Sequence, residues 1–132
     1  MKTGPLLAKA HQALREHPDA CAAFGKAYEI QKANPDVARE YVFECLEIGN
    51  TTEAIAVAEH ALALSPRDAG LLENLALTYA IAGRNSDALS KVEEALAIDP
   101  TDKITLSLKQ RIREILDGKR PQPKSLREFS KK

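Results

Sequence analysis

The side chains that most often carry chemistry are few in this chain and poorly placed for it. His11, His17 and His60 fall on separate helical stretches or turns and show no metal-ligand spacing, so no metal centre is expected. Cys21 and Cys45 match neither a redox motif nor a metal motif. Each sits inside an apolar helical pattern, where a thiol serves as a small hydrophobe. No Ser, Cys or Asp stands beside a base in a nucleophile arrangement, and no glycine-rich loop is present to cradle a phosphate. These patterns point away from catalysis and from any cofactor or small-molecule substrate. What remains is recognition by surface.

Charge says what kind of surface. The formal net charge is zero, which gives no bulk attraction for nucleic acid. The zero conceals an asymmetry. Residues 118–132 hold six Lys or Arg against one Glu, net +5, which leaves 13 basic and 18 acidic side chains, net −5, in residues 1–117. The basic stretch contains two prolines and little periodicity, and it reads as a mobile tail. Such a tail can touch nucleic acid or an anionic membrane, or Leu126 and Phe129, three apart, can form a short docking helix on a partner groove. No apolar run approaches the length of a membrane span, and Lys9 and His11 interrupt what would be the core of a signal peptide, so a cytoplasmic location is expected.

The elements that must position any such surface follow from a 34-residue self-similarity. When residues 35–68 are laid over 69–102, Gly49, Ala54, Glu59, Ala61, Leu62, Ala63, Pro66 and Asp68 meet identical residues. The matches cluster at a turn, a helix face and a helix end. In the second unit, Leu72, Leu75, Tyr79 and Ala82 recur at helical spacing over 69–82, and Gly83 supplies a left-handed stop. Asn85 or Ser86 then caps a helix that buries Ala88, Leu89, Val92, Ala95 and Leu96 and ends at Asp99-Pro100. The first unit repeats the plan: Tyr41, Val42, Cys45 and Ile48 line its first helix, Gly49 stops it, and Thr51 or Thr52 caps the second.

Before Pro35 the spacing predicts a third hairpin. Its first helix spans 5–15 with Leu6, Leu7, Ala10 and Leu14 inward. A turn at His17-Pro18-Asp19 follows, capped by Asp19, and then a helix over 20–33 presents Ala23, Ala27 and Ile30. After the repeats, Ile104, Leu108, Ile112 and Ile115 predict one amphipathic helix over 102–117 that covers the apolar end of the stack. The expected organisation is hairpins at about 4–34, 35–68 and 69–102, a capping helix at 102–117 and a tail at 118–132.

This pattern resembles the tetratricopeptide repeat family. The family's signature slots fall on Leu72, Leu75, Ala76, Tyr79, Ala88, Val92 and Pro100, and on Ala38, Tyr41, Val42, Cys45, Ala54, Ala58 and Pro66. The resemblance implies an all-α fold, a right-handed superhelix of about three antiparallel hairpins plus a C-terminal capping helix, working as a non-catalytic protein-interaction adaptor or scaffold. It also implies a concave groove lined by the first helix of each hairpin, here by Lys9, Gln12, Arg39, Glu40, Phe43, Asn74 and Leu77, and a protein or peptide as its occupant. The family's chaperone co-factors clamp a terminal carboxylate with Lys and Asn from successive first helices. Asn74 occupies one such slot, but Ala8, Glu40 and Leu108 stand in others and depart from that pattern. Self-association into a homo-oligomer is the other use that a stack of about three repeats suggests.

Overall fold

The computed structural model describes residues 4–130, with the side chains of residues 4–7 and 13 outside the described set. Its helices keep the period of the sequence. Helices α2 (His17–Ile30), α4 (Thr51–Leu64) and α6 (Asn85–Ile98) begin 34 residues apart, and so do α3 (Pro35–Glu47), α5 (Ala69–Ile81) and α7 (Lys103–Leu116). Helix α1 (Gly4–Ala13) precedes them and α8 (Leu126–Ser130) closes the chain. From α1 to α7 each helix packs on the next, while α3 also touches α5 and α5 touches α7. That pattern builds one layer from α3, α5 and α7 with the second helices of the hairpins behind it.

Two local devices produce the repetition. Gly49 and Gly83 take φ of 80° and 83° at the turn inside each hairpin, where glycine meets no Cβ penalty. Arg15 occupies the same slot one period earlier, with φ 60°, so the first hairpin uses the same turn without the glycine. Gly49→Ala and Gly83→Ala should therefore each cost about 1 kcal/mol, whereas Arg15→Ala, already carrying a Cβ, should leave the urea midpoint almost unchanged. The second device is close approach. Ala20, Ala54 and Ala88 share one slot at the start of α2, α4 and α6, and all three are fully buried.

The core runs unbroken from Cys21 and Tyr28 through Val42, Leu46, Val57, Leu72, Leu75 and Val92 to Ile112. Helix α5 lies at its centre, and nine of its residues are buried. Phe24, with Ala8 and Ala20, fills a smaller cluster inside the first hairpin.

Several sequence expectations shift. Helix α2 starts at His17, with Pro18 in its first turn and Glu16 at the N-cap, so Asp19 does not cap it. Asn50, not a threonine, caps α4 by accepting from the backbone of Glu53, and α6 starts after Arg84 with no side-chain cap. Ala10, Leu14, Ile30, Ile48 and Ile104, expected inward, are exposed. Ile30 belongs with Leu64 and Ile98, which lie 34 and 68 residues on, all exposed at the ends of α2, α4 and α6 where no further helix covers them. Leu6 and Leu7 lie outside the described side chains.

The stretch expected as a mobile tail is folded back in the structure. Pro123 and Phe129 are buried, Leu126 packs against the main core, and α8 lies against α3.

Candidate functional site

Helices α3, α5 and α7 border a cleft of about 600 Å3, closed on one side by Leu126, Phe129 and Ser130 of α8. The repeat supplies its lining. Phe43, Leu77 and Arg111 hold one slot of the first helices at successive periods, and Asn74 and Leu108 hold a second. Phe43, Leu77 and Leu108 give the cleft an apolar surface, and Arg39, Glu73, Lys103 and Arg111 add charges of both signs. Glu73 accepts from Thr105 Oγ1 at 3.1 Å. Burial pushes its carboxyl above the usual range, with Asp102 adding to the rise and the Thr105 bond opposing it.

Asn74 is the polar feature of this surface. It is 6% exposed, and its Nδ2 finds no hydrogen-bond partner among the described residues. A buried amide donor without a partner costs about 1–3 kcal/mol, a cost that an acceptor on a bound chain removes. An apolar cleft with one unpaired donor and charged residues beside it suits a peptide. Side chains fill the apolar part, a backbone carbonyl takes the donor, and charges select the flanks.

Of the residues expected to line the groove, Arg39, Phe43, Asn74 and Leu77 meet in this cleft. Lys9, Gln12 and Glu40 do not. Gln12 Nε2 donates to Glu40 at 2.7 Å and to Glu44 at 3.0 Å, and Lys9 Nζ lies 3.9 Å from Glu40, so the three link α1 to α3. Arg39 pairs with Asp36 one turn away. Sequence reasoning missed Arg111, although continuing the slot of Phe43 and Leu77 by one period into α7 finds it. It also missed Glu44, a buried carboxylate 2.7 Å from His17 Nδ1, for which a helical pattern carries no signal.

The other chemistry-bearing groups are engaged elsewhere. Cys21 and Cys45 lie with their sulfurs 3.7 Å apart, and burial pushes both thiols up, Cys45 far above the normal range. That keeps them protonated and poor as nucleophiles or ligands. Burial and a hydrogen bond to Glu59 push the Tyr79 hydroxyl up to about 12. His60 pairs with Tyr28 at 3.1 Å. His11, Glu16 and Asp19 bring ligand-type atoms within 4.8 Å of one another at the α1–α2 turn, a proximity that the spacing does not reveal.

The profile of YpiA-like, C-terminal tetratricopeptide repeats matches residues 6–68, and the fold continues that pattern through α7. The fold is that of tetratricopeptide repeats. It is similar to that of the first tetratricopeptide domain of Spaghetti (RPAP3), solved with the HSP90 peptide SRMEEVD, at 13% identity, 88% and 94% coverage of the two chains and a TM-score of 0.76. The second such domain of human RPAP3, solved with the HSP70 peptide SGPTIEEVD, gives 14% identity, 84% and 92% coverage and a TM-score of 0.75. The Sgt2 tetratricopeptide domain from Aspergillus fumigatus gives 16%, 90% and 82%, and 0.77. No curated protein matches the sequence. At these identities the likeness to solved structures is one of fold. In this tetratricopeptide-repeat fold the cleft lies along the first helices, and no helix among the described residues is long and apolar enough to cross a membrane.

Proposed function

We propose that this chain is a non-catalytic interaction module, a cytoplasmic adaptor or scaffold, that holds a peptide segment of another protein in the cleft between α3, α5 and α7. The observation that carries the reading is the unpaired Nδ2 of Asn74 beside the apolar side chains of Phe43, Leu77 and Leu108. The similarly folded domains of Spaghetti and human RPAP3, solved with HSP90 and HSP70 peptides, support a peptide as the occupant. A clamp for a terminal carboxylate is not part of this reading. Of the slots flanking Asn74, Glu40 carries the wrong charge and Leu108 carries none.

Selection of a displayed random peptide library on the full chain tests it. Selected peptides should lose at least roughly ten-fold in affinity with Phe43→Ala, which removes a large apolar contact. A smaller loss is expected with Asn74→Ala, which forfeits one hydrogen bond to the ligand. Peptides that bind parent and both variants equally would move the site off this cleft.

A further inference from the structure

Residues 119–130 stand where a fourth hairpin would place its second helix, which by the period would start at Lys119. Pro121 would fall in the first turn, where its missing donor has no intrahelical partner to lose, but Pro123 removes a ladder hydrogen bond and would clash inside such a helix. The chain instead crosses the end of α5, where Gln122 Nε2 donates to the Ala80 carbonyl at 2.7 Å and Gln122 Oε1 accepts from Asn85 Nδ2 at 2.7 Å. It then enters the cleft as α8, whose first turn is tied by Ser125 Oγ accepting from the Glu128 amide at 3.1 Å. Phe129 is buried in the same apolar cluster as Leu72 and Leu108, and its carbonyl accepts from Arg111 Nη1. Leu126, one turn earlier, packs partly on that cluster. It also lines both openings beside α8, the second of which includes Glu47, His17 and Arg127.

This contact has the form of a ligand in its receptor. A five-residue helix is too short to persist alone, so the surface on which it lies must supply its order. The hold consists of two large apolar side chains three apart and one backbone carbonyl on Arg111. The cleft is also only partly filled, because about 600 Å3 remains beside α8 and Asn74 Nδ2 is still unpaired.

We infer that the occupant for which the cleft is built is a short helix carrying two large apolar residues three apart. Residues 119–130 are its resident copy, and an outside segment of that chemistry binds by displacing α8. The inference rests on the peptide reading of the cleft and names the class of peptide.

The test uses full-length protein and a labelled synthetic peptide, KRPQPKSLREFS, which copies residues 119–130. The double variant Leu126→Ala/Phe129→Ala should bind this peptide at least ten-fold more tightly than the parent does, and a peptide with the same two alanines should bind neither protein. Equal binding by parent and variant, or by both peptides, overturns the inference. Because the double variant can lose stability, a second measurement uses the parent alone. Saturating peptide should speed hydrogen exchange at the amides of residues 126–130 and leave those of α5 unchanged. Unchanged exchange in α8 overturns displacement, as does a parent that dimerises with concentration by exchanging α8 between copies. Library peptides that depend on Phe43 but leave α8 exchange untouched would sink the resident copy and keep the interaction module. Tight binding of KRPQPKSLREFS to the double variant, with no library peptide depending on Phe43, would do the reverse.

Discussion

Leu72→Ala should lower the unfolding free energy by about 3 kcal/mol, and Ile104→Ala should change it by less than about 0.5 kcal/mol, although both residues sit on the apolar stripe of a first helix. Leu72 is 1% exposed and belongs to the continuous core, in the helix that packs on α3, α4, α6 and α7. Truncating it removes apolar contacts and leaves a void that a stack held from four sides cannot close. Ile104 is 69% exposed at the mouth of the cleft, so its truncation removes little burial. For a domain of this length, 3 kcal/mol is a large share of total stability and lowers the melting temperature by roughly 10 °C. Thermal melts followed by circular dichroism separate the two variants. Equal shifts would mean that α5 is not the centre of the core.

That pair also shows where sequence reading stops. The 34-residue period located each helix start from Pro35 onward to within a few residues, because glycine, proline and capping residues act locally and recur with the period. Arg15 hid the first turn, since a left-handed slot held by a non-glycine residue leaves no mark in sequence. Ile30, Ile104 and Leu14 looked internal because periodicity says which residues share a face, not whether another helix covers it. The cap of α4 moved from Thr51 or Thr52 to Asn50 because both types cap well and the helix starts one residue past whichever is used. For the cleft, Arg39, Phe43, Asn74 and Leu77 were legible from their slots. Phe129 was not legible as part of the same surface. Its segment is basic and proline-rich, a composition that argues for disorder, and its order comes from contacts with α3 and α7 that are distant in sequence.

His17→Ala should destabilise the protein by about 2 kcal/mol, more than its partly exposed position suggests, because the cost falls on Glu44. Glu44 is 2% exposed, with its carboxylate held by His17 Nδ1 at 2.7 Å and Gln12 Nε2 at 3.0 Å. Losing one partner of a buried pair costs about 3–5 kcal/mol where both partners are enclosed. The His17 side chain is 29% exposed, so water reaches the vacated site and the figure falls toward the 1.5–3 kcal/mol of a single hydrogen bond to a charged group. Glu44→Gln is the control. A glutamine there keeps the shape, accepts from Gln12 and donates to His17, so its cost should stay under about 1 kcal/mol. The three residues come from α1, α2 and α3, so the bonds among them join the first hairpin to the rest of the stack. In a stack of repeats, weakening one interface releases the end unit before the remainder unfolds. Hydrogen exchange should therefore quicken in α2 of the His17→Ala protein while α5 keeps its protection. Uniform acceleration through both helices would mean that the hairpins unfold as one unit and that Glu44 stabilises the whole chain rather than its first joint.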